Sequence, residues 1–248
     1  MRIALRHVLS VAGISTLLLS GTTTTGLAAA PSPVSVATIS PGPGQVVGVA
    51  MPVTVTFAEP VPDRAAAERS FQIASPNAPQ GNFVWLKNDV LQWNPSSYWP
   101  AHSTISLSVG GAKTSFEAGA QVVGVADVNA HTFTVSVDGQ VARQMPASMG
   151  KPKHPTPIGS FTALEKQSPV IMDSRTIGIP LSDPEGYKLT VYNAVRVTWG
   201  GVYVHSAPWS VASQGNSNVS HGCINLSPDN AAWYYDNVSI GDPIIVQA

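Results

Sequence analysis

Cys223 is the one cysteine in 248 residues, and it sits in the run Ser220-His221-Gly222-Cys223-Ile224-Asn225. His205 precedes that run by fourteen intervening residues. A thiol near its ordinary pKa is only a few per cent thiolate at neutral pH, so a nucleophilic cysteine needs a base or a positive local field. His205 and His221 both qualify as that base on pattern alone. Gly222 permits a close backbone approach and a turn closed to other residues. Its N–H and that of Cys223 suit an oxyanion hole. Together these residues point to a cysteine nucleophile with a histidine base and backbone oxyanion donors. Other chemistries compete. A free cysteine is commonly a buried structural thiol. His205, His221 and Cys223 are also zinc-type ligands, but they lack a paired-ligand motif. A papain-like site would reverse the order of Cys and His. His102, His131 and His154 read as ordinary core or surface histidines.

The elements that position these residues read as β-structure. With 21 Gly and 21 Pro, 44% hydrophobic and 11% charged residues, the composition excludes disorder and opposes a helical bundle. Lys and Arg number 13 against 14 Asp and Glu, a formal net charge of −1, so no cationic surplus exists for nucleic acid. Arg2, Arg6 and His7 precede an apolar run over residues 8–19 and a small-residue stretch ending at Ala30, which reads as a secretion signal. The protein is therefore expected outside the cytoplasmic membrane, in the periplasm or cell wall, either released or tethered by an uncleaved signal. A lone cysteine in that oxidising setting suggests a reactive thiol or an intermolecular partner.

Residues 31–122 read as short strands between turns, with period-two alternation at 52–57 and 104–109 and a strand pair at 81–86 and 90–93. One short helix is expected at 64–69. This pattern fits an immunoglobulin-like β-sandwich. Trp85, Trp93 and Trp99 are either a sugar-binding shelf or core, and core packing is the favoured reading. From residue 123 a second, mainly β unit runs to 248. It holds an alternating strand at 132–137, a type I′ hairpin at Asp138-Gly139, and a strand after the turn in Thr156-Pro157-Ile158-Gly159-Ser160-Phe161. Residues 162–190 carry few regular signals and suit a lid. Strands at 195–199 and 202–205 flank Gly200-Gly201. One helix follows Ser227 as cap and Pro228 as first residue, and 241–246 offers a last strand.

The spacing of His205 and the Ser-His-Gly-Cys-Ile-Asn run resembles the signature of L,D-transpeptidases with the YkuD catalytic domain. The stretch from Thr156 to Phe161 resembles a second recurrent segment of that domain. The Ig-like module and secretion signal are similar to those of the two-domain mycobacterial members. This resemblance implies that Cys223 attacks the bond between meso-diaminopimelate and D-alanine in a peptidoglycan tetrapeptide stem. His205 would be the base, oriented by the Ser206 carbonyl, with the amides of His221, Gly222 and Cys223 holding the oxyanion. It also implies transfer to a second stem as acceptor, or to water, without cofactor or metal. Tyr187, Gly200, Gly201 and Asn225 would line the donor pocket, with Met172 and Trp209 on its rim. Covalent inactivation by carbapenem β-lactams is implied as well.

Overall fold

In the N-terminal module, valines and aromatics at alternate positions force strands to pair by burying one face. The computed structural model describes residues 34–248; the expected secretion signal lies outside the described residues. Four strands form one sheet in the order Val36–Ser40, Val53–Phe57, Val90–Pro95, Gly81–Trp85. The second sheet runs Val46–Val47, Ala112–Ala118, Ser103–Val109, Gln72–Ala74. Val53, Val55, Phe57 and Leu91 from the first share one core with Ile105, Leu107, Val109 and Phe116 from the second. The short helix occupies Arg64–Arg69, where Asp63 accepts a hydrogen bond from the Ala66 amide at 2.9 Å and satisfies an end that would otherwise be unpaired.

The three tryptophans belong to this core. Trp99 is 1% exposed, and its ring lies 5.1 Å from that of Trp93, centroid to centroid. Trp85 stacks on Phe57 and donates to Glu68 Oε1 at 2.7 Å. Packing has claimed all three rings.

The second module pairs a five-stranded sheet with a four-stranded one. The larger runs Gln140–Pro146, Thr132–Val137, Val122–Asp127, Pro243–Gln247, Gly159–Thr162. Asp138 and Gly139 turn its first hairpin with φ of 49° and 80°, as a type I′ turn requires. The smaller sheet runs Glu165–Gln167, Ala194–Arg196, Tyr203–Ser206, Ile224–Leu226. Between them lies a core that includes Phe133, Val204, Ile224, Leu226, Tyr234 and Ile244. Helix Pro228–Asn237, capped by Ser227, covers the smaller sheet. The irregular stretch expected between 162 and 190 contains more order than its sequence shows: Val170–Asp173 pairs with Lys188–Val191 as a two-stranded hairpin, with a short 3₁₀ turn at Ser174–Ile177.

The two modules meet through backbone. Gly48 N–H donates to Ile240 O at 2.8 Å and Ala50 N–H to Gly241 O at 2.9 Å. A Cβ on Gly48 would lie 2.0 Å from the Asp242 amide, so only glycine fits this crossing. His102 of the first module also meets Asp138 of the second at 2.9 Å.

Asp242 is 1% exposed at this junction. Its Oδ2 accepts from the Ser239 amide at 2.7 Å. Its Oδ1 makes no hydrogen bond of ordinary geometry, although the Val49 amide lies near enough to favour the charged form. Burial dominates and pushes the carboxyl up to about 7. A folded-state pKa above the unfolded value means the native state binds the extra proton. Stability should therefore fall as pH rises from about 4 to about 7, by about 1.4 kcal/mol per unit at most. In urea melts between pH 5 and pH 8, Asp242→Asn should flatten this slope. An unchanged slope would reject the assignment.

Candidate active site

Strands Tyr203–Ser206 and Ile224–Leu226 lie side by side and parallel, with His205 opposite Asn225 and Val204 opposite Ile224. Side chains alternate along a strand, so Val204, Ile224 and Leu226 enter the core while His205 and Asn225 turn the other way. Cys223 continues that alternation one residue before its strand. It joins Asn225, His205 and Tyr203 on the outer face. Diagonal neighbours on adjacent strands stand roughly 7–8 Å apart, within reach of a long side chain. The pairing thus puts thiol and imidazole on one face of one sheet.

His205 is 3% exposed. Its Nδ1 lies 2.9 Å from Ser206 O, and a carbonyl can only accept, so Nδ1 carries the proton. Nε2 is then the basic nitrogen. Burial holds the imidazole down to about 4, offset in part by that backbone bond. The Trp209 ring stands 6.0 Å from the His205 ring, centroid to centroid, with Trp209 itself 54% exposed.

The Cys223 thiol donates to Gly201 O at 3.7 Å, so its recorded hydrogen bond is to this carbonyl and not to His205. Burial pushes the thiol up to about 11, with a backbone hydrogen bond from Tyr203 opposing. The apolar wall behind the thiol is a small cluster of Val191, Ala194 and Tyr203, with Val170 and Met172 packed on it, while Cys223 itself stays part-exposed to the cavity. Both shifts favour the uncharged forms, so the resting pair is a neutral thiol and a neutral imidazole.

The loop that carries Cys223 is strapped from behind. Ser220 Oγ donates to Cys223 O at 2.7 Å and accepts from the Gly222 amide at 3.1 Å. The Gly222 N–H, expected among the oxyanion donors, is thus engaged by Ser220 Oγ. Gly222 has φ of 116°, a conformation that L side chains rarely adopt. Its carbonyl accepts from Thr156 Oγ1 at 2.9 Å, and that oxygen accepts from the Gly150 amide at 2.8 Å. Thr156 is 3% exposed. Leaving a buried carbonyl and amide unpaired costs about 1–3 kcal/mol each. Thr156→Val should therefore slow acylation of Cys223 by about tenfold or more, and Thr156→Ser should restore it; equal rates in both variants would show that the strap is irrelevant.

A cavity of about 330 Å³ opens over this face, lined by His205, Cys223, Asn225, Trp209, Tyr187, Met172, His221 and Lys151 among others. It gathers most of the expected substrate residues. Asn225 does not bond the neighbouring backbone through its side chain; Nδ2 donates to Ser210 Oγ at 3.2 Å. Met172 and Tyr187 come from the lid, and the Tyr187 ring lies 5.0 Å from that of His221, centroid to centroid. Gly201 reaches the site through its carbonyl, which accepts from the Cys223 thiol, although it and Gly200 do not line this cavity. They border a neighbouring hollow of about 360 Å³, together with Met172, Tyr187, Arg196, Trp199 and Tyr203.

Sequence reading missed Thr156 as a strap, Lys151 and Glu185 at the cavity, and His154. That last residue is not an ordinary surface histidine: it lies 3.2 Å from Glu185 and its ring 5.0 Å from that of His221, centroid to centroid. His154, Glu185 and His221 present ligand atoms within 4.8 Å of one another, the one such trio among the described residues. Lys151 and Lys153 both bond Glu185, and their positive charge opposes a cation there. The trio differs from the His205, His221 and Cys223 set weighed from sequence.

A sandwich joined to a β-rich module that displays a histidine and a cysteine on one cavity face has the layout of a two-domain L,D-transpeptidase. Comparison with known proteins agrees. The YkuD family, the L,D-transpeptidase catalytic domain, matches residues 121–246, and a bacterial Ig domain family matches residues 18–115. The chain is 55% identical to L,D-transpeptidase 1 of Mycobacterium tuberculosis over 249 residues, covering 99% of each. It is 52% identical to the probable L,D-transpeptidase 3 of that organism, covering 86% of each. Among solved structures, an L,D-transpeptidase from Mycobacterium smegmatis superposes with a TM-score of 0.83 at 74% identity, covering 88% of this chain and 100% of that one. An L,D-transpeptidase solved in complex with imipenem follows at 0.81 and 60%, covering 86% and 99%. This chain belongs to the L,D-transpeptidase family.

Proposed function

We propose that Cys223 carries the acyl group in a peptidoglycan L,D-transpeptidation that forms 3→3 cross-links. The observation that carries this reading is the buried His205, whose Nδ1–H bond to Ser206 O leaves a basic Nε2 on the cavity face that also bears Cys223.

The thiol proton passes to His205 Nε2 as sulfur bonds to the carbonyl carbon between meso-diaminopimelate and D-alanine. The His221 and Cys223 amides receive the developing oxyanion. The intermediate collapses, the C–N bond breaks, and His205 returns the proton to the departing D-alanine amine. A thioester remains. The side-chain amine of diaminopimelate on a second stem then attacks, its proton leaves through His205, and Cys223 is released as thiol. Water in place of that amine gives L,D-carboxypeptidase activity.

A β-lactam carbonyl presents the same electrophile, and relatives have been solved with imipenem and with a faropenem-derived adduct. The basic and apolar N-terminal segment supports action at the cell wall, after export.

Incubation with disaccharide tetrapeptide should release D-alanine and yield a cross-linked dimer in mass spectra, through an acyl-enzyme that has lost D-alanine. Binding without any product would instead indicate a non-catalytic wall-binding module.

A further inference from the structure

Glu185, in the stretch 162–190 that suits a lid, forms ion pairs with three groups outside that stretch. Its Oε1 accepts from Lys151. Its Oε2 lies 2.6 Å from Lys153 Nζ and 3.2 Å from His154 Nε2. These bonds, that of Lys151 foremost, hold the carboxyl far below the ordinary carboxylate range. Three donors from one short loop thus converge on one carboxylate.

That loop contacts the Ser220–His221 segment just before Cys223. The Lys151 amide donates to Ser220 O at 3.1 Å, and Lys151 Nζ lies 3.4 Å from His221 Nε2. Lys151 and Glu185 both line the cavity above Cys223. Two ammonium groups and an imidazole form a cradle suited to a carboxylate. Lid opening would withdraw Glu185 and leave Lys151 at the cavity, and the exposed Lys153 beyond its lining, without their carboxylate. With a net charge of only −1 over the whole chain, recognition of an anionic group rests on such local clusters.

We propose that the Lys151–Lys153–His154 cradle binds a carboxylate of the acyl-donor stem, and that Glu185 is its internal occupant, exchanged for that carboxylate as the lid opens. The assignment rests on the transpeptidase reading. It makes Glu185 a competitor: the fraction of enzyme with a vacant cradle scales the apparent affinity for donor. Two of the stem's free carboxylates flank the scissile bond and are the candidates: that of diaminopimelate and that of the terminal D-alanine.

The test measures KM for release of the terminal residue from three stems: D-alanine from the free acid and from one amidated on diaminopimelate, and D-alaninamide from one amidated on D-alanine. The wild type should show a KM raised several-fold for one of the two amides, which identifies the docked carboxylate. Glu185→Gln should lower KM for the free acid by about three- to fivefold, the range of an exposed ion pair. Lys153→Gln, at an exposed side chain, should raise that KM and erase the discrimination between acid and amide. An unchanged or raised KM in Glu185→Gln, or discrimination that survives in Lys153→Gln, would overturn the cradle while leaving the transpeptidase reading intact. A wild type that releases no terminal residue from any stem would overturn both.

Discussion

Cys223→Ala should show no mass adduct with imipenem and no D-alanine release from a tetrapeptide stem, a loss of at least about 10⁴-fold. The size follows from the mechanism: the acyl group has no other atom to rest on. Ser220 is the nearest hydroxyl in sequence, but its oxygen is committed to Cys223 O and the Gly222 amide. Cys223→Ser should be equally silent, because an alcohol beside a base held down to about 4 ionises far less readily than a thiol. Neither change should unfold the protein, since Cys223 sits at the margin of a small cluster and not in the main core. Melting temperatures close to wild type would confirm that. An adduct on Cys223→Ala, located by peptide mapping, would move the nucleophile elsewhere.

The second large effect belongs to His205. With the thiol pushed up to about 11, the thiolate fraction at pH 7 is about 10⁻⁴ without help. A general base removes that penalty by taking the proton within the transition state, an effect of about 10²–10⁴. His205→Gln retains an N–H able to donate to Ser206 O but has no basic nitrogen. Its acylation rate at pH 7 should fall by roughly 10³-fold and then climb tenfold per pH unit up to pH 9, tracking free thiolate. The wild type should behave differently. Its imidazole is neutral above about 4 and its thiol protonated below about 11, so its rate should be level from pH 6 to pH 9. Stopped-flow acylation by a carbapenem reads both profiles. A wild-type profile that climbs in parallel with the variant would remove His205 from proton transfer.

Both predictions depend on pairings that differ greatly in how visible they are along the chain. Alternation at 53–57 and 103–109, the Asp63 cap and the Asp138-Gly139 turn are local, and each formed close to its expected place. The same holds for the helix that Ser227 and Pro228 begin. The lid strands were invisible because their hairpin buries little: Ile171 is 64% exposed, so no alternation is required of it. Strand Pro243–Gln247 was expected near its place, yet its insertion between Val122–Asp127 and Gly159–Thr162 depends on partners more than eighty residues away. Trp93 and Trp99 needed the same context before core could be told from shelf.

At the site, residue types and spacing singled out Cys223 and offered His205 and His221 alike as its base; the family resemblance favoured His205. Types and spacing were enough for that resemblance and for a mainly β, two-domain plan. Tertiary structure decided what those residues are able to do. Parallel pairing of two strands turns His205 and Cys223 to one face, and burial shifts both toward neutrality. Ser220 engages the Gly222 amide, Thr156 reaches across 66 positions to hold the loop, and Glu185 pairs with cations from another loop. The physical reason is range. Propensity, capping and turn chemistry act over a few residues, whereas desolvation and hydrogen-bond competition depend on whichever groups the fold brings into contact.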